Sequence, residues 1–216
     1  MNLIYNIMRN LKLFKEFNTY KKEDYFLVID NSKPPKNKYL NNVLKYLDTT
    51  DVSYKIVETI DELLETINNY NIIGAISTGS DFRVNDIETN ELNFKSLELL
   101  ECPVYGICYG FQSMAKYYGS EIGSVNEVCE NLILDSYDKN ELIFNGIDLG
   151  NMKLSFCFHD FPLEVPNGFK IISEINNKIS GISNGKNRFG TLFHPENINE
   201  TFPILDNFIN LCKAKI

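Results

Sequence analysis

At 216 residues the chain is long enough to bury a sizeable core, as one large α/β domain or two small ones. Its 44% hydrophobic and 23% charged residues are ordinary for a globular protein, so composition excludes disordered and fibrous classes. A formal net charge of −8 argues against nucleic acid or an anionic membrane as partner, and no apolar run approaches the ~18 residues of a transmembrane span.

Residues 1–24 stand apart as an N-terminal extension. Leu3, Ile4, Ile7, Met8, Leu11, Phe14 and Phe17 follow helical spacing, with Arg9, Lys12 and Lys15 among the polar positions. This predicts an amphipathic helix packed on this domain or a second copy, or else a membrane-surface or partner contact. From Tyr25 the pattern alternates. Strands are expected over 25–30 (YFLVID), 52–57 (VSYKIV), 72–77 (IIGAIS) and 102–107 (CPVYGI). Helices are expected over 39–47, from a Thr59/Glu62 capping box to about Asn69, over 91–101, and over FQSMAKYYG up to Gly119. Such alternation predicts an α/β fold, with a mostly parallel sheet covered by helices on both faces. After residue 125 the texture becomes β-rich: NLILDS, MKLSFCF, FKIISEI, KISGIS and RFGTLF, with a last helix over about 200–213. No linker, repeat or low-complexity stretch divides 25–216, which reads as one domain.

Cys102, Cys108, Cys129, Cys157 and Cys212 form no CxxC pair and are odd in number. With no secretory signal pattern ahead of them, a disulfide framework is not expected, and a reducing, cytoplasmic setting is the default. The only histidines are His159 and His194. They lie far apart and the cysteines are scattered, so no metal site is expected. Nothing resembles a P-loop or a pyrophosphatase loop, so no cofactor is expected either, and any ATP-driven step falls to another protein.

Gly106-Ile107-Cys108-Tyr109-Gly110 follows a predicted strand and opens a predicted helix, the setting of a nucleophile elbow with cysteine in place of serine. Glycines make room for the tight turn, and the helix N-terminus favours a thiolate. A nucleophilic cysteine needs a base, and the base an orienting group. His194 and Glu196 lie two residues apart after the last predicted strand, so both side chains point the same way in an extended segment.

GICYGFQ at 106–112 together with HPE at 194–196 resembles the class I (triad) glutamine amidotransferase family, over about Tyr25 to Cys212. Within it, AKYYGSEIG, VPNGFKII and ILDNFINLC look most like the glutaminase part of GMP synthase. The resemblance implies a flavodoxin-like open sheet and L-glutamine as substrate. It implies Cys108 as nucleophile, His194 as proton shuttle and Glu196 as its orienter. Gly79 and Tyr109 would supply the oxyanion-hole N–H groups, and Gln112 would help to hold substrate. His159 and Asp160 partly match a His-x-Asp segment that would contact substrate or a partner, against a reading as a strand-end structural pair. A separate ATP-dependent synthetase would receive the ammonia. Thr78 and Ser80 depart from the family's Ser-Gly-Gly-Pro loop, and β-branched Thr78 restricts the backbone where glycine is free. Alternatives are a stand-alone γ-glutamyl hydrolase and a non-catalytic regulatory subunit.

Overall fold

Apolar strands with alternate residues buried on opposite sides build the centre of the structure. The computed structural model describes residues 23–33, 38–86 and 90–214; the helix expected within 1–24 lies outside these. Strands β1 (Asp24–Ile29), β2 (Tyr54–Val57), β3 (Asn71–Ser77) and β4 (Val104–Ile107) alternate with helices α1 (Lys38–Leu47), α2 (Ile60–Asn69) and α3 (Glu91–Leu99). Helix α4 (Tyr109–Tyr117) follows β4 at once. Then come β5 (Ile122–Leu132), β6 (Ser136–Tyr137), β7 (Leu154–Pro162), β8 (Lys170–Ile175), β9 (Lys178–Ser183), β10 (Arg188–Thr191) and α5 (Phe202–Lys213).

The main sheet has eight strands in the order β2-β1-β3-β4-β10-β9-β8-β6. The first five run parallel, and β9, β8 and β6 continue antiparallel. This is an open α/β sheet of mixed direction, as the alternation predicts. Phe26, Val28, Ile76, Tyr105 and Ile107 join one core with residues of α1 and α5, whereas Leu27, Ile29, Ala75 and Val104 join a second with Leu63 of α2 and Leu97 of α3. Period-two alternation within the same strands thus feeds both faces. The Thr59 hydroxyl accepts from Glu62 N–H while the Glu62 carboxylate accepts from Thr59 N–H, so the expected capping box forms.

Two expectations change in the β-rich half. NLILDS is not a strand of its own: its first two residues end the 11-residue β5, which pairs antiparallel with β7 as a separate two-stranded ribbon. Mostly exposed, β5 is held by its ladder and by the part-buried Ile122, Val125, Val128 and Leu132, spaced along it, which pack against the main core. The second correction concerns the cysteines. Cys129 on β5 lies directly opposite Cys157 on β7, with Cα atoms 4.0 Å apart, and the two form a disulfide. Sequence spacing gives no sign of the pair, because antiparallel register alone sets it. Cys102, Cys108 and Cys212 take part in no disulfide among the described residues.

Candidate active site

Strands β4 and β10 lie side by side in parallel with Gly106 opposite Gly190 and Ile107 opposite Thr191, so their carboxyl ends coincide. Chain segments far apart in sequence leave the sheet at one point. The Cys108 N–H donates to the Thr191 carbonyl at 2.8 Å, fastening the turn after β4 to the strand that leads to His194.

Cys108 has φ 50°, a left-handed conformation that a non-glycine residue adopts at a cost. The backbone is crowded around it. A Cβ on Gly106 would lie 2.6 Å from the Gly110 carbonyl carbon, and one on Gly110 would lie 2.5 Å from the Ser77 oxygen. Both glycines are therefore required by close approach. Helix α4 begins at Tyr109, and the Cys108 carbonyl accepts from the Gln112 N–H at 2.9 Å. The positive end of the helix is thus presented at the sulfur.

His194 and Glu196 are both buried, with Nδ1 and Oε1 2.7 Å apart. Their segment is anchored by the His194 N–H, which donates to the Ser155 carbonyl of β7 at 2.8 Å. Burial opposes charging of the imidazole. The Glu196 carboxylate and then the Cys108 side chain outweigh it, pushing the His194 pKa up to about 10. The buried His194 Nε2 atom meets no hydrogen-bond partner among the described residues, so the nitrogen opposite the Glu196 carboxylate is available to face a substrate.

Gly79 lies directly against the imidazole: a Cβ there would sit 2.8 Å from His194 Cε1 and 2.9 Å from Tyr39 Cδ1. Tyr39, which the sequence does not single out, stacks on His194 with ring centroids 5.3 Å apart. Thr78 does not disturb this loop. Its φ is not positive, its hydroxyl accepts from Asn31 N–H at 2.9 Å, and its carbonyl accepts from Asn31 Nδ2 at 2.8 Å. Asn31 is held in turn by Asn93 Nδ2 at 2.7 Å. The Ser80 hydroxyl accepts from Phe82 N–H at 3.0 Å, closing a short turn. A buried polar network therefore fixes the loop, where the family pattern has glycine and proline.

Cys108, Gln112, His159 and Asp160 line one cavity of about 140 Å³, with Tyr39 and Arg83 in its wall. Usual ligand pockets hold ~300–1,000 Å³. This one suits a molecule no larger than an amino acid. A wider depression of about 470 Å³ opens near Asp30 and Glu58 and includes none of Cys108, His194 and Glu196. Gln112 Nε2 donates to the Asp160 carbonyl at 2.7 Å, so this glutamine ties α4 to β7. The Asp160 carboxylate is buried and accepts from Arg83 Nη2 at 2.6 Å, Ser124 Oγ at 2.7 Å and Val84 N–H at 3.2 Å. Burial alone would raise its pKa, but Arg83 and Ser124 hold it below the usual carboxylate range. Asp160 is therefore engaged within the protein, whereas His159 is part-exposed with Nε2 3.4 Å from Glu127 Oε1. The Tyr109 hydroxyl donates to Asn90 Oδ1 at 3.1 Å. Arg83, Asn31 and Asn90 carry no motif that could have marked them in the sequence.

The arrangement can polarise a thiol, deliver a proton and orient the base that does so. Residues 27–211 match the family model described as glutamine amidotransferase class-I. The chain belongs to the class I glutamine amidotransferase family. Similar curated proteins include the GMP synthase [glutamine-hydrolyzing] of Borreliella burgdorferi strain ATCC 35210, 33% identical over 160 residues covering 71% of this chain. That of Caldicellulosiruptor saccharolyticus is 32% identical over 163 residues covering 72% of the chain. The amidotransferase chain matches only 30% and 31% of the length of these relatives. Among solved structures, a Thermoplasma acidophilum protein provisionally named as a GMP synthase subunit superposes with a TM-score of 0.75 at 18% identity, covering 88% of this chain and 94% of that one. At that identity the likeness establishes the fold. No helix among the described residues is long and apolar enough to cross a membrane.

Proposed function

We propose that this amidotransferase hydrolyses the side-chain amide of L-glutamine to glutamate and ammonia through a Cys108-His194-Glu196 triad. The observation that carries the reading is the buried 2.7 Å His194–Glu196 pair, set beside a left-handed Cys108 where β4 and β10 end together. The Cys108 thiolate attacks the amide carbon, and the oxyanion is met by the N–H groups of Gly79 and Tyr109. Losing one such donor typically costs ~3 kcal/mol. The His194 imidazolium then protonates the leaving nitrogen, the C–N bond breaks, and a glutamyl thioester and ammonia result. Neutral His194 takes a proton from water, whose oxygen attacks the thioester. The C–S bond breaks, releasing glutamate and restoring the thiolate–imidazolium pair.

The ammonia goes, in this reading, to a separate ATP-dependent synthetase of the GMP-synthase type in the cytoplasm. The names of the curated relatives support this. The small cavity favours free glutamine over bulky γ-glutamyl conjugates. An intact triad argues against a purely regulatory role.

The test is ammonia release from glutamine by the chain, alone and with an ATP-dependent GMP-forming synthetase, together with labelling by a glutamine-analogue diazoketone. The expected result is stoichiometric alkylation of Cys108 and turnover that Cys108→Ala lowers by at least ~10⁴-fold. Unlabelled Cys108 and no turnover in the synthetase's presence would sink the proposal.

A further inference from the structure

The β5–β7 ribbon assembles a second set of reactive side chains. Cys129 pairs in register with Cys157. Period-two alternation puts Glu127 beside Cys129 on one face of β5, and His159 beside Cys157 on the same face of β7. The register that pairs Cys129 with Cys157 and Val128 with Phe158 runs on toward Glu127 and His159, at the edge of an irregularity between Ser124 and Val128. A Glu127 carboxylate oxygen and the sulfurs of Cys129 and Cys157 all lie within 4.8 Å of one another. His159 Nε2 adds a nitrogen 3.4 Å from Glu127 Oε1.

Two sulfurs, an imidazole nitrogen and a carboxylate oxygen are the donors that a borderline-soft divalent cation takes. Tetrahedral bonds of ~2.0–2.3 Å put neighbouring ligand atoms ~3.3–3.8 Å apart. Three of the donors stand within 4.8 Å of one another, and His159 Nε2 lies 3.4 Å from the carboxylate of the third, so parting of the sulfurs on reduction and side-chain rotation would have to bring the four to that spacing. The ribbon face is also accessible: Glu127 and Cys129 are exposed. An ion could enter without unfolding the chain. In the disulfide form the two sulfurs are bonded to each other and are poor ligands.

We propose that the reduced chain binds one thiophilic divalent cation of the zinc type through Cys129, Cys157, His159 and Glu127, and that the Cys129–Cys157 disulfide is the form closed to metal. Opening the site takes two electrons and two protons from a thiol reductant, which leaves as its own disulfide, and metal binding then displaces the two thiol protons. The site abuts the catalytic cavity. Glu127, Cys157 and His159 line that cavity, and the Cys157 carbonyl oxygen lies 3.3 Å from Cys108 Sγ.

The test uses the full chain carrying Cys108→Ser, which removes the triad thiolate as a competing ligand. After phosphine reduction and removal of the phosphine, Co²⁺ is titrated in and then displaced with Zn²⁺. The expected result is one equivalent with a thiolate-to-cobalt charge-transfer band. Added Cys129→Ser should weaken binding at least ~100-fold, and added His159→Asn by ~10-fold or more. Both positions are solvent-accessible, and circular dichroism confirms that each variant is folded. Chain reoxidised with a diazene oxidant should bind at least ~100-fold more weakly. Absence of cobalt binding by the folded, reduced chain overturns the proposal, as does unchanged affinity in both variants or equal binding by the oxidised chain. No glutamine enters the experiment, so its outcome is independent of the glutaminase reading.

Discussion

The parallel half of the sheet and the β5–β7 ribbon both face the same cavity, but they are built to different standards of rigidity. Cys108 and His194, the proposed nucleophile and base, leave adjacent parallel strands, β4 and β10, in the middle of an eight-stranded sheet with cores on both faces. The ribbon is only two strands, a unit that is marginal alone. Leu154, Phe156 and Phe158 of β7 anchor it in the main core, and it is tied further by Gln112 bonding the Asp160 carbonyl, Arg83 bonding the Asp160 carboxylate and Ser155 accepting from His194 N–H. Chemistry that fails at a displacement of ~1 Å belongs on the rigid part. A substrate wall can sit on the other. Damage to the first region should therefore lower kcat, and damage to the second should raise KM.

The largest expected effect comes from Glu196→Gln, which keeps the size and one acceptor for His194 Nδ1 but removes the charge. We expect kcat to fall ~10²–10⁴-fold with little change in KM, read from steady-state ammonia release. The same variant has a pH signature. In the parent the raised His194 pKa keeps the imidazolium until about pH 10. Its contribution to stability is full below the unfolded value of ~6.5 and is lost as pH rises from there through the folded value. The alkaline limb of kcat should therefore lie near pH 10 in the parent and move to lower pH in Glu196→Gln. An unmoved limb would mean that another group governs it.

Gly79→Ala tests the rigid region sterically. Its Cβ would press on His194 Cε1 and Tyr39, two rings stacked on each other with little room to retreat. Displacing the imidazole should lower kcat by roughly 10–100-fold, and the overpacking should cost ~1–3 kcal/mol in a denaturant melt. An unaffected kcat would show that the ring has slack.

The contrast between the two regions also explains what could be seen in the sequence. Around Cys108 local pattern and local structure coincide: an apolar strand, two crowded glycines and a helix follow one another without a break. His194 and Glu196 could be read from their spacing, because an extended segment makes i and i+2 neighbours. The Arg83–Asp160 bond joins residues 77 apart and the Cys129–Cys157 bridge residues 28 apart. Neither leaves a local signal, since strand register and loop path create both. Thr78 teaches the converse. Read alone, it is a stiff residue where glycine belongs; in the structure, its hydroxyl and carbonyl are the groups through which Asn31 fastens the loop.

Asp160→Asn probes the ribbon and should give the smallest effect on turnover. The substitution keeps an oxygen for the Ser124 hydroxyl but weakens the bond to Arg83, whose side chain is 42% exposed. Solvent screening limits the loss of stability to ~1 kcal/mol or less. Loosening of the Arg83 segment should raise KM for glutamine by roughly 10-fold and leave kcat within about 3-fold. Because folding lowers the Asp160 pKa, its contribution to stability is full above the unfolded value of ~3.9 and is lost as pH falls through the folded one. Acid melts of parent and variant should therefore converge at low pH and separate above pH ~4. A drop in kcat with unchanged KM would reverse the assignment, because it would make the ribbon part of the chemistry and not of the wall that holds the substrate.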